Sequence, residues 1–235
     1  MNSDIRWNDA GSGEWHMRRW CTALIIICLM AGWIALWQEE KVLSVSTVFV
    51  ETKKAALTFD DGPSPLYTER LLDGLKERGV VATFFVTGEN AESCPDLIRR
   101  EKADGHLIGN HSYDHVNLGA LCESEACTQI KKTNDAIYKV TGEYPEYLRP
   151  PFGSVKNKLD EDMNMIVTLW DIDTRDWEVQ NVASIESKVL GKAKDGEIIL
   201  MHDAYATSVT AALDLIDKMK QDGYEFVTVD ELIFE

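Results

Sequence analysis

Two neighbouring aspartates, Asp60 and Asp61, stand where the apolar run Ala55 to Phe59 ends, in the sequence LTFDDGPSP. Adjacent carboxylates repel each other, and each raises the pKa of the other unless a cation or a hydrogen-bond donor compensates. The pair therefore predicts a site in which the carboxylates have a positively charged or hydrogen-bonding partner.

Two histidines with the spacing of metal ligands lie in the segment NHSYDH, residues 110–115. His111 and His115 are four residues apart, so on a helical turn both imidazoles would face the same way. The HxxxH pattern alone is weak, but three of the five histidines, His111, His115 and His202, follow predicted strands. Two histidines and one carboxylate are a common ligand set for catalytic zinc, with one position left for water. The sequence therefore predicts a metal site formed by these two histidines and one aspartate.

Three further segments carry candidate catalytic groups: RPPFG (149–153), DTRDW (173–177) and LMHD (200–203). Two prolines stiffen the backbone after Arg149, and an arginine in so rigid a loop can bind a carboxylate with fixed geometry. The alternative for Arg149 is a side chain that only contacts solvent. His202 directly follows the apolar run IILM, although a single histidine after a strand is more often packed or exposed than catalytic.

Apolar runs alternate with amphipathic stretches from residue 54 onward, which predicts an α/β fold built around a parallel sheet or barrel. The predicted strands are 55–59, 82–86, 106–109, 166–170, 198–201 and 225–229. The predicted helices, three of which end near a glycine, are 67–77, 96–103, 125–140, 182–193 and 208–222. Such folds collect functional groups at the carboxyl ends of their strands, so the five segments are expected to meet there.

Taken in order, the segments TFDDGP, HSYDH, RPPFG, DTRDW and LMH resemble the five motifs of the polysaccharide deacetylase family. This family shares the NodB homology domain and is also called carbohydrate esterase family 4. The resemblance covers about residues 54–235. It implies a distorted (β/α) barrel of the NodB type with fewer strands than the eight-stranded form, which agrees with the alternation of strands and helices.

The resemblance also implies a role for each candidate residue. The implied metal ligands are Asp61, His111 and His115, with Zn²⁺ as the expected ion and Co²⁺ as an alternative. The implied catalytic residues are Asp60 as the base, His202 as the acid, Arg149 as the group that positions Asp60, and Asp176 as the group that orients His202. The adjacent aspartates would then have separate roles, because one binds the ion and the other stays free to take a proton.

Two aromatic residues are candidates for substrate binding. Trp177 is a candidate wall for an acetyl pocket, although an aromatic residue beside a strand end is as often part of the core. Phe152 stands where many family members have tyrosine, so a sugar-binding role for its side chain is in doubt. A backbone N–H near Phe152 could still stabilise an oxyanion.

The resemblance predicts a metal-dependent hydrolase that removes N-acetyl groups from N-acetylglucosamine in a cell-wall polysaccharide, above all peptidoglycan. Other substrates for the same chemistry are chitooligosaccharide, an exported polysaccharide, muramic acid, or an O-acetyl ester such as acetylated xylan. A non-catalytic glycan-binding module is a different class, but such a module could lose Asp60 or His202 at no cost, and both are present. A structural membrane protein with an incidental metal site would explain neither Arg149 nor Asp176.

An uncharged apolar run of 17 residues, 21–37, precedes this domain and predicts a transmembrane signal-anchor. Because arginines occur only before the run, residues 1–20 are predicted to lie in the cytoplasm. The linker 38–53 and the catalytic domain 54–235 are then predicted to lie outside. A cleaved signal peptide, with Ser44 to Ser46 as a small-x-small site, is the alternative and would make the protein secreted. A buried core helix fits the flanking residues least well.

The formal net charge of −16 belongs entirely to residues 38–235, because three acidic and three basic residues balance before them. An acidic domain does not attract nucleic acid or anionic lipid surfaces, so we predict a polysaccharide substrate, no nucleic acid and no protein partner. With 45% hydrophobic and 27% charged residues, the composition is that of a folded globular protein.

Cysteine usage leaves one question open. Cys122 and Cys127 could form a disulfide outside the membrane or could be free thiols on an exposed helix. The sequence contains no CxxC pair, so a cysteine zinc site is not predicted.

Overall fold

The computed structural model of the chain describes residues 26–34, 52–155 and 164–234. The chain divides into two compact units, Met1–Val50 and Glu51–Glu235. All five motif segments belong to the second unit.

In the first unit the described residues, 26–34, form a helix, α1. Among the residues that the structure describes, no helix has the length and apolar character needed to cross a membrane. The other parts of the predicted transmembrane run, 21–25 and 35–37, and the candidate cleavage site lie outside the described residues.

A parallel sheet forms the centre of the second unit. Its strands are β1 (Lys53–Asp60), β2 (Thr83–Val86), β3 (Leu107–Asn110), β4 (Tyr147–Leu148), β5 (Ile166–Val167), β6 (Ile172–Asp173), β7 (Glu197–His202) and β8 (Tyr224–Phe226). The strand order is β5-β4-β3-β2-β1-β7-β6, with β8 paired to β1. No pairing joins β5 to β6 within the described ranges, so the sheet is an incomplete, distorted (β/α) barrel. The expectation of fewer than eight strands was wrong, because the described ranges contain eight, three of which have only two residues.

Helices between the strands bury their apolar faces against the sheet. They are α2 (Thr68–Arg78), α3 (Gly88–Ser93), α4 (Pro95–Ala103), α5 (Glu123–Thr141), α6 (Asp176–Val179), α7 (Val182–Val189), α8 (Ala206–Gln221) and α9 (Val229–Ile233). In α2, Leu71, Leu72 and Leu75 are fully buried in the main core cluster, because their spacing places them on one helical face. The helix ends at Gly79, whose left-handed backbone (φ 61°) forms the predicted stop.

The prediction was wrong for several short elements. The predicted strand 166–170 is only Ile166–Val167, and β4 and β6 have two residues each, too few to show an alternating pattern. The last predicted strand, 225–229, is shorter, because Val229 already begins α9. The short helices α3, α6 and α9, of six, four and five residues, were also missed, since one or two turns give no helical periodicity.

Cys122 is a free thiol at the N-terminal cap of α5, with its Sγ 3.2 Å from the Oγ of Ser124. Cys127 lies further along the same helix and packs against a small core cluster that contains Leu118 and Ile130. The disulfide that the sequence left open is therefore not formed between these two described residues.

Candidate metal centre and active site

The five motif segments meet at the carboxyl ends of the central strands. Asp60 ends β1 and His202 ends β7, and the two residues are direct partners in the register of these strands. His111 follows β3 and Arg149 follows β4, whose ends pair with each other through Asn110 and Leu148. A cavity of about 360 Å³ opens at this edge of the sheet, and its lining includes both aspartates and all three motif histidines.

Asp61, His111 and His115 form a candidate metal centre. One ligand atom from each lies within 4.8 Å of the others. Asp61 Oδ1 is 3.4 Å from His111 Nε2 and 3.2 Å from His115 Nε2. The same oxygen is buried and has no hydrogen-bond partner in the protein, which fits an atom that binds an ion. Two imidazoles and one carboxylate are the donor set of many catalytic zinc sites, so these residues fit a divalent transition metal.

Neighbouring groups prepare the three side chains for metal binding. His111 Nδ1 lies 2.7 Å from the carbonyl oxygen of Arg149, so Nδ1–H donates there and Nε2 keeps its lone pair for an ion. Burial lowers the pKa of His115, which favours the neutral imidazole. Burial opposes ionisation of Asp61, but the close approach of His111, together with His115 and His202, outweighs it and lowers the pKa of this carboxyl.

The two histidines are not on a helical turn, as the four-residue spacing had suggested. Residues 111–117 are irregular, and Ser112 (φ 63°) and His115 (φ 55°) both have left-handed backbone conformations. This loop still brings the imidazole rings together, with ring centroids 5.1 Å apart. The ligand set predicted from the spacing is therefore assembled, but by a different local structure.

Arg149 fixes the other aspartate, Asp60. The guanidinium Nη1 donates to Asp60 Oδ1 at 2.8 Å, and both side chains are almost completely buried. The remaining donors of Arg149 bind Thr58 Oγ1 (2.6 Å), Thr168 O (3.1 Å) and Leu169 O (2.8 Å). An arginine with this many partners cannot rotate freely, so the orientation of the Asp60 carboxylate is set by the fold.

His202 is paired with the buried carboxylate of Asp176. His202 Nδ1 lies 2.7 Å from Asp176 Oδ1, and the backbone N–H of His202 donates to Asp176 Oδ2 at 2.8 Å. Burial lowers the pKa of His202, but the hydrogen bond to Asp176 and the charges of Asp60 and Asp61 raise it to about 9. The raised pKa favours the charged imidazole, which can donate a proton from Nε2, an atom 4.0 Å from Asp61 Oδ2.

Phe152 and Trp177 both line the cavity and are both exposed. The ring of Phe152 packs edge-on against that of His115, with centroids 5.0 Å apart, and its backbone is left-handed (φ 60°). Trp177 is 48% exposed, so it is not a core residue. These positions place two exposed apolar surfaces on the lining of the cavity.

Four lining residues were not predicted from the sequence: Trp170, Asp173, Leu200 and Tyr205. Asp173 and Leu200 belong to the motif segments DTRDW and LMHD, and their membership of these segments could have marked them as candidate site residues. Asp203 was also missed. It is fully buried behind the site, where it accepts a hydrogen bond from Thr68, and burial raises its pKa to about 6.

The fold and the site together form an incomplete (β/α) barrel with a cluster of acids, histidines and one buried arginine at the carboxyl ends of its strands. The family model described as polysaccharide deacetylase matches residues 49–166 of this chain. The chain belongs to the polysaccharide deacetylase family.

Two curated relatives and one solved structure support this assignment. The chain is 43% identical over 183 residues to the peptidoglycan-N-acetylglucosamine deacetylase PgdA of Listeria monocytogenes, covering 78% of this chain and 39% of the relative. It is 43% identical over 199 residues to the peptidoglycan-N-acetylmuramic acid deacetylase PdaC of Bacillus subtilis, covering 85% and 41%. A solved structure of peptidoglycan deacetylase PdaC from Bacillus subtilis matches with a TM-score of 0.76 at 43% identity, covering 78% of this chain and 91% of that one. The chain thus spans about two fifths of the length of these curated relatives.

Proposed function

We propose that this chain is a metal-dependent N-deacetylase that removes acetyl groups from N-acetylglucosamine residues of peptidoglycan and releases acetate. The observation that carries the proposal is the separation of roles between two adjacent aspartates. Asp61 lies with His111 and His115 in a ligand set, whereas Asp60 is bound by Arg149 at 2.8 Å and lines the cavity.

Asp61, His111 and His115 would hold the ion, for which we propose Zn²⁺, with Co²⁺ as the alternative. A divalent ion at this position supplies a Lewis acid for the acetyl carbonyl and lowers the pKa of water. The protein supplies the geometry, because the hydrogen bond from His111 to the Arg149 carbonyl orients one ligand.

Asp60 is the proposed general base. Its carboxylate accepts the proton of the attacking water, and the hydrogen bond from Arg149 to Oδ1 holds this carboxylate in the lining of the cavity. The negative charge that develops on the acetyl oxygen needs a donor, for which we propose the backbone N–H of Phe152 at the rim. Because this donor belongs to the main chain, phenylalanine can serve in place of the tyrosine found in many family members.

His202 is the proposed general acid. An amine leaves poorly unless it is protonated, and the protonated imidazole of His202 supplies that proton to the sugar nitrogen. Asp176 orients the ring through Nδ1 and favours its charged form. Trp177 is the proposed wall of the acetyl pocket.

The pH dependence of kcat/KM tests the role of His202. The rate is expected to fall as pH rises through the pKa of His202, because the neutral ring cannot donate the proton. That pKa is about 9 without an ion, and a bound cation lowers it, so the basic limb should lie at or below pH 9. Asp176→Asn removes the stabilising charge and should move the limb down by roughly 1–3 pH units. A basic limb that stays at the same pH in Asp176→Asn would contradict this assignment.

We propose peptidoglycan as the substrate because both curated relatives are named as peptidoglycan deacetylases. Their names differ in the sugar, N-acetylglucosamine in one and N-acetylmuramic acid in the other. We favour N-acetylglucosamine and keep muramic acid, chitooligosaccharide, exported polysaccharide and O-acetyl esters as alternatives.

The apolar run 21–37, with arginines only on its N-terminal side, supports a location at the outer face of the cell membrane, or secretion if the run is removed. N-terminal sequencing of the membrane fraction distinguishes these two locations.

Mass spectrometry of digested peptidoglycan tests the proposed reaction. The full chain with zinc is expected to release acetate and leave glucosamine in place of N-acetylglucosamine, and a chelator should abolish the release. Loss of the acetyl group from muramic acid alone would change the proposed target sugar but leave the proposed deacetylation reaction unchanged. Binding of glycan without any acetate release, with zinc or cobalt present, would contradict the proposal and favour a non-catalytic module.

A further inference from the structure

We propose that residues 87–90, at the start of α3, form a positioning segment that sets the distance between Asp61 and the two histidines of the metal centre. None of these four residues belongs to the five motif segments. The proposal rests on the proposed function only in requiring that the centre binds a divalent cation.

The metal centre needs such a segment because its ligands come from two separate loops. Asp61 follows β1, whereas His111 and His115 lie in the loop after β3. Asp61 (φ 71°), Ser112 (φ 63°) and His115 (φ 55°) all have the left-handed backbone that non-glycine residues disfavour. Surrounding contacts must therefore stabilise both loops if the ligand atoms are to stay within reach of one ion.

One side of the positioning segment binds the loop after β1 that contains Asp61 and Gly62, here called the aspartate loop. Asn90 Nδ2 donates to the carbonyl oxygen of Asp61 at 2.7 Å, and the backbone N–H of Thr87 donates to the carbonyl oxygen of Gly62 at 3.1 Å. These two carbonyl groups belong to the two consecutive peptide bonds that follow Asp61 in the chain. The bonds therefore fix the left-handed turn from which the Asp61 carboxylate projects.

The other side of the segment binds the irregular residues 111–117 after β3, here called the histidine loop. The backbone N–H of Gly88 donates to the carbonyl oxygen of Ser112, and that of Glu89 donates to the carbonyl oxygen of Tyr113, each at 3.0 Å. Ser112 and Tyr113 lie between the two histidine ligands. A side chain at Gly88 would prevent this close approach, because a Cβ there would lie 2.4 Å from Tyr113 Cδ2.

Four donors on four consecutive residues thus join both ligand loops to one short turn. The turn is itself braced, since Thr87 Oγ1 accepts the backbone N–H of Asn90 at 3.4 Å. Three of the four donors are backbone groups, and only Asn90 uses a side chain. Asn90 is therefore the position where a substitution can remove one of the four bonds without altering the main chain.

Asn90→Asp in the full chain gives the sharpest test. The aspartate has the same shape but replaces the donor with a carboxylate that repels the Asp61 carbonyl oxygen. We expect the zinc dissociation constant, measured by competition with a chelating dye, to rise roughly 10- to 100-fold, the usual effect of losing an outer hydrogen bond at a metal site. If the added charge alone determined the result, the zinc dissociation constant would fall instead, because a negative charge near the ion tightens its binding.

Two further variants complete the test. Asn90→Ala removes the donor without adding a charge and should weaken zinc binding less than Asn90→Asp does. Thr128→Ala is the matched control, because Thr128 is exposed and its Oγ1 donates to Ser124 O within α5, a bond that involves neither loop nor residues 87–90. The melting temperatures of the zinc-free variants show whether each protein is folded.

The outcomes separate this proposal from the proposed function. If the wild-type chain binds zinc and a folded Asn90→Asp variant binds it as tightly or more tightly, the positioning role is contradicted and the proposed function stands. If the wild-type chain binds no zinc, both are contradicted. If Asn90→Asp does not fold, a folded Asn90→Ala with wild-type zinc affinity contradicts the positioning role.

Discussion

Replacement of Asp60 by asparagine is expected to lower the rate of acetate release by roughly 10²- to 10⁴-fold, the usual contribution of a positioned acid or base. The amide cannot accept the proton of the attacking water, although its oxygen can still accept the hydrogen bond that Arg149 donates at 2.8 Å. Zinc affinity is expected to fall far less than in Asp61→Asn, because Asp60 is not part of the ligand set of Asp61, His111 and His115 and contributes only its charge. The measurements are kcat on an N-acetylated chitooligosaccharide and zinc binding by dye competition.

Asp61→Asn is the matched control for this prediction. The two substitutions make the same chemical change at adjacent positions, but Asp61→Asn should weaken zinc binding and turnover together. Equal loss of zinc affinity in both variants would mean that both aspartates bind the ion. Full turnover in Asp60→Asn would remove Asp60 as the base.

The largest effect on stability is expected at Arg149. Arg149→Leu should destabilise the zinc-free protein by about 3–5 kcal/mol, the usual cost of leaving a buried charge without its partner. Arg149 is fully buried and Asp60 is only 3% exposed, so water can solvate the remaining carboxylate only poorly, from the cavity side. Urea unfolding in the presence of a chelator measures the change, because a bound ion would partly replace the missing positive charge.

The double variant Arg149→Leu with Asp60→Asn separates the unpaired charge from other losses. It contains no buried carboxylate at position 60, so it should be more stable than Arg149→Leu alone. A double variant that is no more stable would show that the cost comes from the lost bonds to Thr58, Thr168 and Leu169 instead.

The structure brings together the metal and catalytic candidates of the sequence, because each of them follows directly on a strand or belongs to a segment next to one. In a parallel sheet the carboxyl ends of all strands lie at one edge, so residues far apart in the chain must meet there. Asp60 and His202 show this clearly, since they end two neighbouring strands and are partners in register. The resemblance to the family then assigned separate roles to adjacent residues that spacing could not distinguish.

The parts that were not predicted depend on main-chain groups and on very short elements. Arg149 is oriented partly by the carbonyl groups of Thr168 and Leu169, and any residue type can supply a carbonyl. The histidine loop was expected to be a helical turn, because the four-residue spacing does not reveal the left-handed conformations of Ser112 and His115. The positioning segment was not predicted for the same reason, since backbone N–H groups donate three of its four hydrogen bonds.

The most direct test of the site is anomalous diffraction from crystals of the chain grown with zinc. We expect one ion bound by Asp61, His111 and His115, with Asp60 unligated and still bound to Arg149. A site that stays empty in the presence of zinc, or an ion bound by both aspartates, would contradict this expectation.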